Sequence, residues 1–394
     1  KKVTKLEKKL ANVRIVKGPI NGLPGPHLVI EGCNVHVRSG SGNSTDGTAN
    51  LDEQTTIPDT TPLGLGSLIV GYNELPVDEN PARGGSHNLV VGPRHNYPSV
   101  AGILAGQQNS TTGPLGSVTG GHKNVASGYT ASVSGGKINT AGGMFASVCG
   151  GFANIADGEY SSVSGGQENF ASGIFSSVSG GYSNLASGTV SSVIGGWNNV
   201  AGGTYSSITG GQSNTASGGL SSVTGGAQNT ASGNISSISG GQGNISNALL
   251  SSVTGGQQNS AGGSYSSVSG GAANAASGEH SSVSGGNANT ASGTYSSVSG
   301  GASALASGSR SSVSGGHSNT ASGSYANVSG GLTRSAPNIY DWAAGGLSRT
   351  RKHAATLSNS GKQGSIEAAR SSWGQCKAAL FKSAFPNRKF GNEE

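Results

Sequence analysis

The chain has 394 residues, of which 71 are glycine and only 5% are aromatic, and its formal net charge is +6. Hydrophobic residues make up 32% of the sequence, which is too few for the two or three ordinary globular domains that this length would otherwise suggest. The sequence contains no run of about 18 apolar residues, so it predicts no membrane-spanning helix.

The chain begins with a predicted helix. Val3, Leu6, Leu10 and Val13 follow one another at spacings of 3, 4 and 3, with Lys and Glu between them. This is the a/d pattern of a coiled coil. Two heptads are too short to hold a coiled coil alone, so residues 1–17 are interpreted as the end of a longer stalk, with a lone surface helix as the alternative. Since the sequence starts without Met or a signal peptide, we expect a piece of a longer precursor.

A connector and a set of irregular coils follow the helix. In residues 18–63, Pro19, Pro24 and Pro26 end the helix, and apolar stretches predict short strands at 27–30 and 34–37. These are followed by degenerate coils in residues 64–116, interpreted as a cap that closes one end of a repeat array. Each degenerate coil is an apolar run that ends in glycine, at 68–71, 89–92 and 103–106.

Residues 117–346 repeat every 15 residues, and the unit reads approximately Ser-Ser-Val-Ser-Gly-Gly-x-x-Asn-x-Ala-Ser-Gly-x-Tyr. A fixed short period of this kind is typical of a solenoid. Val alternates with Ser, and Ala alternates with polar residues, so each coil should hold two short strands with Val and Ala facing inward. Glycines are expected at the corners, where positive φ is needed. The predicted core column comprises Val118, Val133, Val148, Val163, Val178, Val193, Ile208, Val223, Ile238, Val253, Val268, Val283, Val298, Val313 and Val328.

A column of asparagines keeps the same period. We expect their side-chain amides to stack coil over coil, each bonding its neighbour, because amide ladders stabilise stacked strands. This gives the asparagines a structural role rather than a ligand-binding one. The column comprises Asn124, Asn139, Asn154, Asn169, Asn184 and Asn199, and it continues to Asn289.

The predicted core is thin. Each coil supplies one Val and one Ala, sometimes joined by a larger residue such as Tyr160, Phe175 or Leu220. Their burial contributes little against the conformational entropy of ordering 15 residues, so a monomer should be marginal. The residue after each Asn is often apolar and cannot fit the same core, which, together with the heptads, predicts a homotrimer. These residues are Val125, Ile155, Phe170, Leu185 and Val200.

The repeat stops after Gly346. Residues 347–364 are interpreted as a basic linker, 365–385 as an amphipathic helix and 386–394 as a tail. Both ends of the chain are basic, and we expect solvated ends rather than a nucleic-acid site. If the terminal helices of successive particles met, a head-to-tail filament would form, and a stalk below with a tip above is the alternative. The apolar face of the second helix includes Ile366, Trp373 and Leu380.

The sequence offers no catalytic constellation. Its eight histidines are scattered and are expected to be surface substitutions, and Asp157, Glu159 and Glu168 form only a local acidic patch. Paired carboxylates suited to glycoside hydrolysis, a phosphate-binding loop and a nucleophile elbow are all missing. We therefore predict a protein that is not an enzyme, with no cofactor and no metal.

The cysteines also predict no metal site. Cys33, Cys149 and Cys376 are far apart and form no CxxC pair, which predicts neither a zinc site nor an internal disulfide framework. Cys149 takes a position that is Ser or Thr in most other repeats, and that position is expected to face outward.

The repeat Gly-x-Tyr-Ser-Ser-Val-Ser-Gly-Gly-x-x-Asn-x-Ala-Ser-Gly, over about residues 64–346, is similar to the head repeat of YadA-like trimeric autotransporter adhesins. The stretches Gly-Ser-Leu-Ile-Val-Gly-Tyr-Asn and Ser-His-Asn-Leu-Val-Val-Gly also resemble the trimeric fibre-tip proteins of predatory and social deltaproteobacteria. The resemblance implies an all-β, left-handed parallel β-roll, three of which pack about a threefold axis beside a coiled-coil stalk.

The patterns together predict a trimeric β-solenoid of 15-residue coils with short terminal helices. Its expected role is an extracellular or cell-surface fibre that is structural and adhesive, with a cell-surface glycan or envelope polymer as partner. A phage-like tail fibre or polysaccharide depolymerase is one alternative. An ice-binding solenoid is another, because Ser162, Ser164 and their repeats form rows of hydroxyls.

Overall fold

A computed structural model describes residues 10–44, 62–75 and 82–345, together with the backbone of 347–349. This part of the chain is all-β and contains no helix. Parallel coils about 15 residues apart stack into a β-solenoid of about 17 turns, which confirms the predicted all-β solenoid of 15-residue coils. Val3 and Leu6 lie outside the described residues, as does the predicted helix 365–385 with Ile366, Trp373 and Leu380.

The predicted N-terminal helix is wrong where the structure describes it. Leu10 is an exposed residue in a turn, and Val13 begins strand β1 (Val13–Val16). This strand pairs antiparallel with β2 (His27–Ile30). Three of the four residues of β1 are β-branched, and this preference for extended backbone outweighs the heptad spacing. The second predicted strand of the connector, at 34–37, has no regular structure.

Two sheets run the length of the solenoid. The valine sheet consists of β3 (Leu68–Val70), β4 (Leu89–Val91), β5 (Ile103–Ala105), β7 (Ser117–Val118), β9 (Ser132–Val133), β11 (Ser147–Val148), β13 (Ser162–Val163), β15 (Ser177–Val178), β17 (Ser192–Val193), β19 (Ser207–Ile208), β21 (Ser222–Val223), β23 (Ser237–Ile238), β25 (Ser252–Val253), β27 (Ser267–Val268), β29 (Ser282–Val283), β31 (Ser297–Val298), β33 (Ser312–Val313), β35 (Asn327–Gly330), β37 (Trp342–Ala344) and β38 (Leu347–Arg349). The alanine sheet consists of β6 (Ser110–Thr111), β8 (Val125–Ala126), β10 (Thr140–Ala141), β12 (Ile155–Ala156), β14 (Phe170–Ala171), β16 (Leu185–Ala186), β18 (Val200–Ala201), β20 (Thr215–Ala216), β22 (Thr230–Ala231), β24 (Ile245–Ser246), β26 (Ser260–Ala261), β28 (Ala275–Ala276), β30 (Thr290–Ala291), β32 (Leu305–Ala306), β34 (Thr320–Ala321) and β36 (Ser335–Ala336).

Pairing between coils keeps equivalent residues side by side. Val163 pairs with Val178 in the valine sheet, and the alanine sheet is in the same register. In each two-residue strand the first side chain faces outward and the second is buried, as in Ser162 and Val163. The interior between the sheets is therefore a file of valines beside a file of alanines.

The corners of each coil depend on left-handed backbone. Gly166 has φ +84°, and a Cβ there would collide with the carbonyl of Gly181 in the next coil. Two residues with side chains, Tyr160 and Glu168, also take positive φ, at 55° and 56°. Each of these donates its backbone N–H to a carbonyl of the preceding coil, Tyr160 at 2.8 Å and Glu168 at 2.9 Å. These bonds hold a conformation that non-glycine residues rarely adopt.

The left-handed corner also corrects the predicted core. Tyr160, Phe175 and Leu220 all occupy this position and are exposed, so the expectation that they add to the interior is wrong. The turn places a residue outside the coil before the chain re-enters the valine sheet. The core is thus even thinner than the sequence suggested.

The irregular coils join the same stack. β3, β4 and β5 pair in parallel and continue the valine sheet toward the N-terminus, with Val90 and Leu104 buried in line with Val118. Ile69 is the next inward position, but it is 46% exposed. Among the described residues these coils therefore extend the core toward the N-terminus.

The last coil keeps the 15-residue register only in part. Trp342 and Ala343 pair with Asn327 and Val328 as expected, but the register then shifts, and Ala344 pairs with Gly330. A β-bulge absorbs the difference. β38 then folds back antiparallel onto β37, so this end of the valine sheet differs from the open parallel edge at β3.

Candidate functional site

The asparagine ladder is the most regular polar feature of the interior. The Asn169 backbone N–H donates to Oδ1 of Asn154 at 3.0 Å, and its side-chain Nδ2 donates to the carbonyls of Gly165 and Gly181 at 3.0 and 2.9 Å. Among the described residues, the expected bond between side-chain amides occurs only from Asn229 to Asn214, at 3.1 Å. The amides therefore bond to the backbone and connect the glycine corner of one coil to the next: both Nδ2 hydrogens are donated, and Oδ1 accepts from the next asparagine's N–H.

A histidine occupies one position of this ladder. His95 is fully buried, so the expectation that the histidines are surface substitutions is wrong for this residue. Its Nδ1 accepts from the backbone N–H of Asn109 at 3.2 Å, and its Nε2 donates to the carbonyl of Val91 at 3.1 Å. The backbone N–H of His95 donates to Oδ1 of Asn73 at 3.0 Å. A neutral imidazole thus provides the acceptor and the donor that an asparagine provides elsewhere.

Burial disfavours the charged form of this imidazole. Desolvation is the main cause that lowers the pKa of His95 below its ordinary value of 6.5, and the nearby Arg83 acts in the same direction. Arg83 donates from Nε to the carbonyl of His95 at 3.2 Å and from Nη2 to Oδ1 of Asn73 at 3.4 Å.

The predicted asparagine column did not include several members of the ladder that the structure shows. Asn109 lies one period before Asn124, and Asn319 lies two periods after Asn289, so the period could have found both. Asn73 and His95 could not be found in this way, because their spacings along the ladder are 22 and 14 residues rather than 15.

A second interior file, of serine hydroxyls, was not foreseen. The file consists of the buried residue that comes directly before the outward serine of each valine-sheet strand, as Ser161 comes before Ser162. The Oγ of Ser161 has no hydrogen-bond partner in the described structure. Ser251 differs because the alanine file has a serine there, and the Oγ atoms of Ser246 and Ser251 lie 2.7 Å apart. The hydroxyls without a partner are those of Ser161, Ser176, Ser191, Ser206, Ser221, Ser236, Ser266, Ser281, Ser296 and Ser311.

At the left-handed corner that Tyr160 occupies, the aromatic residues of neighbouring coils stack in groups, which together are called the aromatic ridge. The Phe145 and Tyr160 rings stack at 4.9 Å with an interplanar angle of 11°, and Tyr160 stacks on Phe175 at 4.8 Å. Further along, His280 lies 4.6 Å from the tyrosine on either side, and the Arg310 guanidinium lies over two tyrosine rings. Since the rings cover one another's faces, the ridge presents mainly ring edges to solvent.

The opposite corner carries a second surface file, the bridge file, whose members pair coil to coil through single β-bridges. The file runs from Gln107 to Leu332, and its members in the earlier coils include Lys137, Phe152, Gln167, Tyr182, Trp197 and Gln212. The carboxyl of Glu168, beside this file, has its pKa lowered by hydrogen bonds, first from the Gln167 amide and then from Tyr182 and Ser183. The predicted acidic patch thus contains one carboxylate that its neighbours orient.

The alanine sheet bears an outer apolar file. Val125, Ile155, Phe170, Leu185 and Val200 are the outward residues of their strands, and all are partly buried. At the equivalent position the later coils carry mainly Thr, Ser or Ala. The apolar character is therefore concentrated in the first coils of the regular array.

The described residues bring together little that resembles a catalytic centre. No group of three His, Cys, Asp or Glu side chains among them is placed to hold a metal ion. A cavity of about 470 Å³ lies between residues 36–44 and His87, and no carboxylate is among its lining residues. Cys33 and Cys149 are both exposed free thiols, while Cys376 lies outside the described part.

The predicted valine column and asparagine column both lie in the interior, at relative exposures of 0–1%. Scans against protein-family models and curated proteins find no match to the chain. In the part of the chain that the structure describes, no helix is long and apolar enough to cross a membrane.

Proposed function

We propose that this chain is the rod of a homotrimeric, extracellular or cell-surface fibre that is structural and adhesive and is not an enzyme. The observation that carries the proposal is the outer apolar file, Val125, Ile155, Phe170, Leu185 and Val200, on the outward side of a solenoid with a thin interior. Partly buried aliphatic and aromatic side chains in one line favour a contact with another copy.

The composition of the solenoid supports a structural role. Nearly all its backbone hydrogen bonds outside the corners join one coil to the next, so the array extends in one dimension. The regular coils carry few charges, and their outward positions are mostly small hydroxyl residues. A surface of this kind suits a stable spacer, while adhesion would depend on a limited set of larger exposed side chains.

The trimer is tested by native mass spectrometry of the full chain. Leu185→Asp places a charge between Phe170 and Val200 and should dissociate the trimer, while circular dichroism stays that of a β-solenoid. Leu305→Asp is the matched control, because the same residue type occupies the same file between Thr290 and Thr320. A folded wild-type chain that is monomeric at micromolar concentration would refute the trimer.

The adhesive role is tested separately by binding of the labelled full chain to intact cells. Release of reducing sugar from envelope polysaccharide would favour the depolymerase instead, and thermal hysteresis would favour the ice-binding alternative. Failure of attachment together with either signal would overturn the adhesive proposal.

A further inference from the structure

Three large aromatic side chains stand out on the bridge file. Phe152, Tyr182 and Trp197 are 38%, 40% and 53% exposed, and the β-bridges between their coils place them along one line. From Gln212 to His317 the same file carries only Gln, Ala, Asn and His, with no Phe, Tyr or Trp. The cluster is therefore a local feature of a few coils rather than a consequence of the repeat.

These rings differ from the aromatic ridge in what they offer to a ligand. In the ridge the Tyr160 and Phe175 rings are parallel within 7° and 4.8 Å apart, so each ring covers its neighbour's face. In the cluster, Tyr182 and Trp197 meet edge to face, with centroids 6.3 Å apart and an interplanar angle of 68°. Edge-to-face packing leaves ring faces uncovered. A flat apolar surface is what the C–H face of a sugar ring packs against.

Polar groups are interleaved with the rings. Gln167 lies between Phe152 and Tyr182 in the file, and its Nε2 donates to Oε1 of Glu168 at 3.0 Å. The Ser183 hydroxyl donates to the other carboxylate oxygen at 3.4 Å. The Glu168 carboxylate is thus held in place at the surface beside Tyr182, where its remaining lone pairs can accept from ligand hydroxyls.

We propose that Phe152, Tyr182 and Trp197, with Gln167 and Glu168, form a binding site for an extended glycan of hexose units. The rings pack against sugar C–H faces, and the carboxylate and amide bind the hydroxyls. This inference rests on the proposed adhesive function and assigns its ligand class. Two coils separate Phe152 from Tyr182, a distance of roughly 10 Å at the spacing of paired strands. Consecutive aromatic contacts therefore fall at separations that a short run of sugar units can span.

A glycan fits this corner better than a second copy of the chain. The cores of protein–protein interfaces are depleted in charge, whereas this cluster includes Glu168 and has the Lys137 ammonium 5.9 Å from the centre of the Phe152 ring. Sugars present both apolar faces and hydroxyls, and the cluster places the Gln167 amide between the Phe152 and Tyr182 rings, with the Glu168 carboxylate beside it. The outer apolar file has no such amide or carboxylate, which is why it carries the copy–copy contact.

The test uses the full chain on a glycan array with neutral, N-acetylated and acidic oligosaccharides, including cellohexaose and chitohexaose. We expect binding to at least one hexose-containing class. Trp197→Ala and Tyr182→Ala should each raise the Kd about tenfold or more, since each removes a large apolar ring face against which a sugar packs. Glu168→Gln should raise it less. Tyr205→Ala is the matched control: this exposed tyrosine occupies the left-handed corner of a neighbouring coil, and its loss should leave the Kd unchanged.

Two results would overturn the site. The first is an array on which the wild-type chain binds nothing, or binds a glycan with a Kd that Trp197→Ala does not change. The second is a change in particle mass for Trp197→Ala, which would make the cluster an interface between copies. Either result leaves the fibre proposal standing if the wild-type chain is trimeric and attaches to cells. A wild-type chain that neither forms a trimer nor attaches to cells would instead refute the fibre proposal.

Discussion

The irregular first coils and the regular array solve the same structural problem with different residues. In the array, each asparagine follows the last by 15 residues and donates its backbone N–H to Oδ1 of the asparagine before it. In the first coils the spacings are 22 and 14, and His95 replaces asparagine, yet the same bonds form. The stacking of coils therefore requires that each inward position either accept a hydrogen bond from the next coil or fill a given volume. It fixes neither the residue type nor the length of the coil.

The largest expected effect tests whether inward positions of the array tolerate only apolar side chains. Val223→Asp places an unpaired carboxylate between stacked valine residues and should cost several kcal/mol. Ser222→Asp is the matched change on the outward side of the same strand and should cost far less. Thermal unfolding and hydrogen exchange of the two neighbouring coils measure both. Equal large losses would place Ser222 in a contact between copies.

The next prediction compares the two kinds of ladder residue. Asn214→Ala removes the acceptor of the Asn229 N–H and the donor to the carbonyls of Gly210 and Gly226. Leaving such buried groups unsatisfied should cost about 2–4 kcal/mol. His95→Asn restores the residue type that the array uses and should cost much less at neutral pH. Urea denaturation followed by circular dichroism measures both changes, and a costly His95→Asn would show that the first coils need the imidazole itself.

Acid should separate the two regions. Because burial lowers the pKa of His95, the unfolded chain binds a proton more readily than the folded one, and protonation favours opening. The contribution of neutral His95 to stability should be complete above the ordinary value of 6.5 and should be lost as the pH falls through the lowered pKa. A protonated Nδ1 would face the Asn109 N–H, donor to donor.

Hydrogen exchange at pH 7 and pH 5 tests this on segments 86–111 and 200–260 of the same molecule. Once corrected for the intrinsic effect of pH, protection should fall in the first segment and persist in the second. His95→Asn should abolish the difference. A loss of protection that survives this substitution would assign the acid sensitivity to another group.

The smallest effect concerns the unpartnered serine file. Ser221→Ala removes a buried hydroxyl that has no partner, and Ala131, Ala146 and Ala326 already occupy the equivalent position. We expect a gain of up to about 1 kcal/mol, since the desolvation penalty of the hydroxyl disappears. Ser251→Ala is the contrasting variant, because it removes the partner of Ser246 and should destabilise. Differential scanning calorimetry of the two variants gives the signs, and a loss with Ser221→Ala would contradict the assignment.

The strict period made the fold predictable from sequence. Alternation of Val163 with Ser162 and Ser164 gave the inward face, and Gly166 marked a corner that only glycine can form. The regular members of the asparagine column could be placed, although their bonds could not. Whether an amide bonds another amide or a backbone carbonyl depends on the corner's geometry, which the residue type does not specify.

Other features lay beyond periodicity because they depend on φ or on long-range pairing. Tyr160 was expected to contribute to the core, and only its left-handed backbone places it outside. Val13 fits a heptad, but its pairing with Ile30 decides its structure. The open-faced pair Tyr182 and Trp197 differs from the stacked ridge by ring orientation, which the sequence does not encode in any simple pattern.

The neighbour-only bonding of the coils has a consequence for how such a chain can change its length. A duplication of one 15-residue unit adds a coil whose groups are matched by the coils above and below, because every inward position recurs at the same place. The addition lengthens the stack by about 4.8 Å, one strand spacing. An insertion of another size must be accommodated between the paired strands, as the 21-residue spacing from Leu68 to Leu89 is. The length of the array can therefore change by whole coils, while the remaining coils keep their sequence and their contacts.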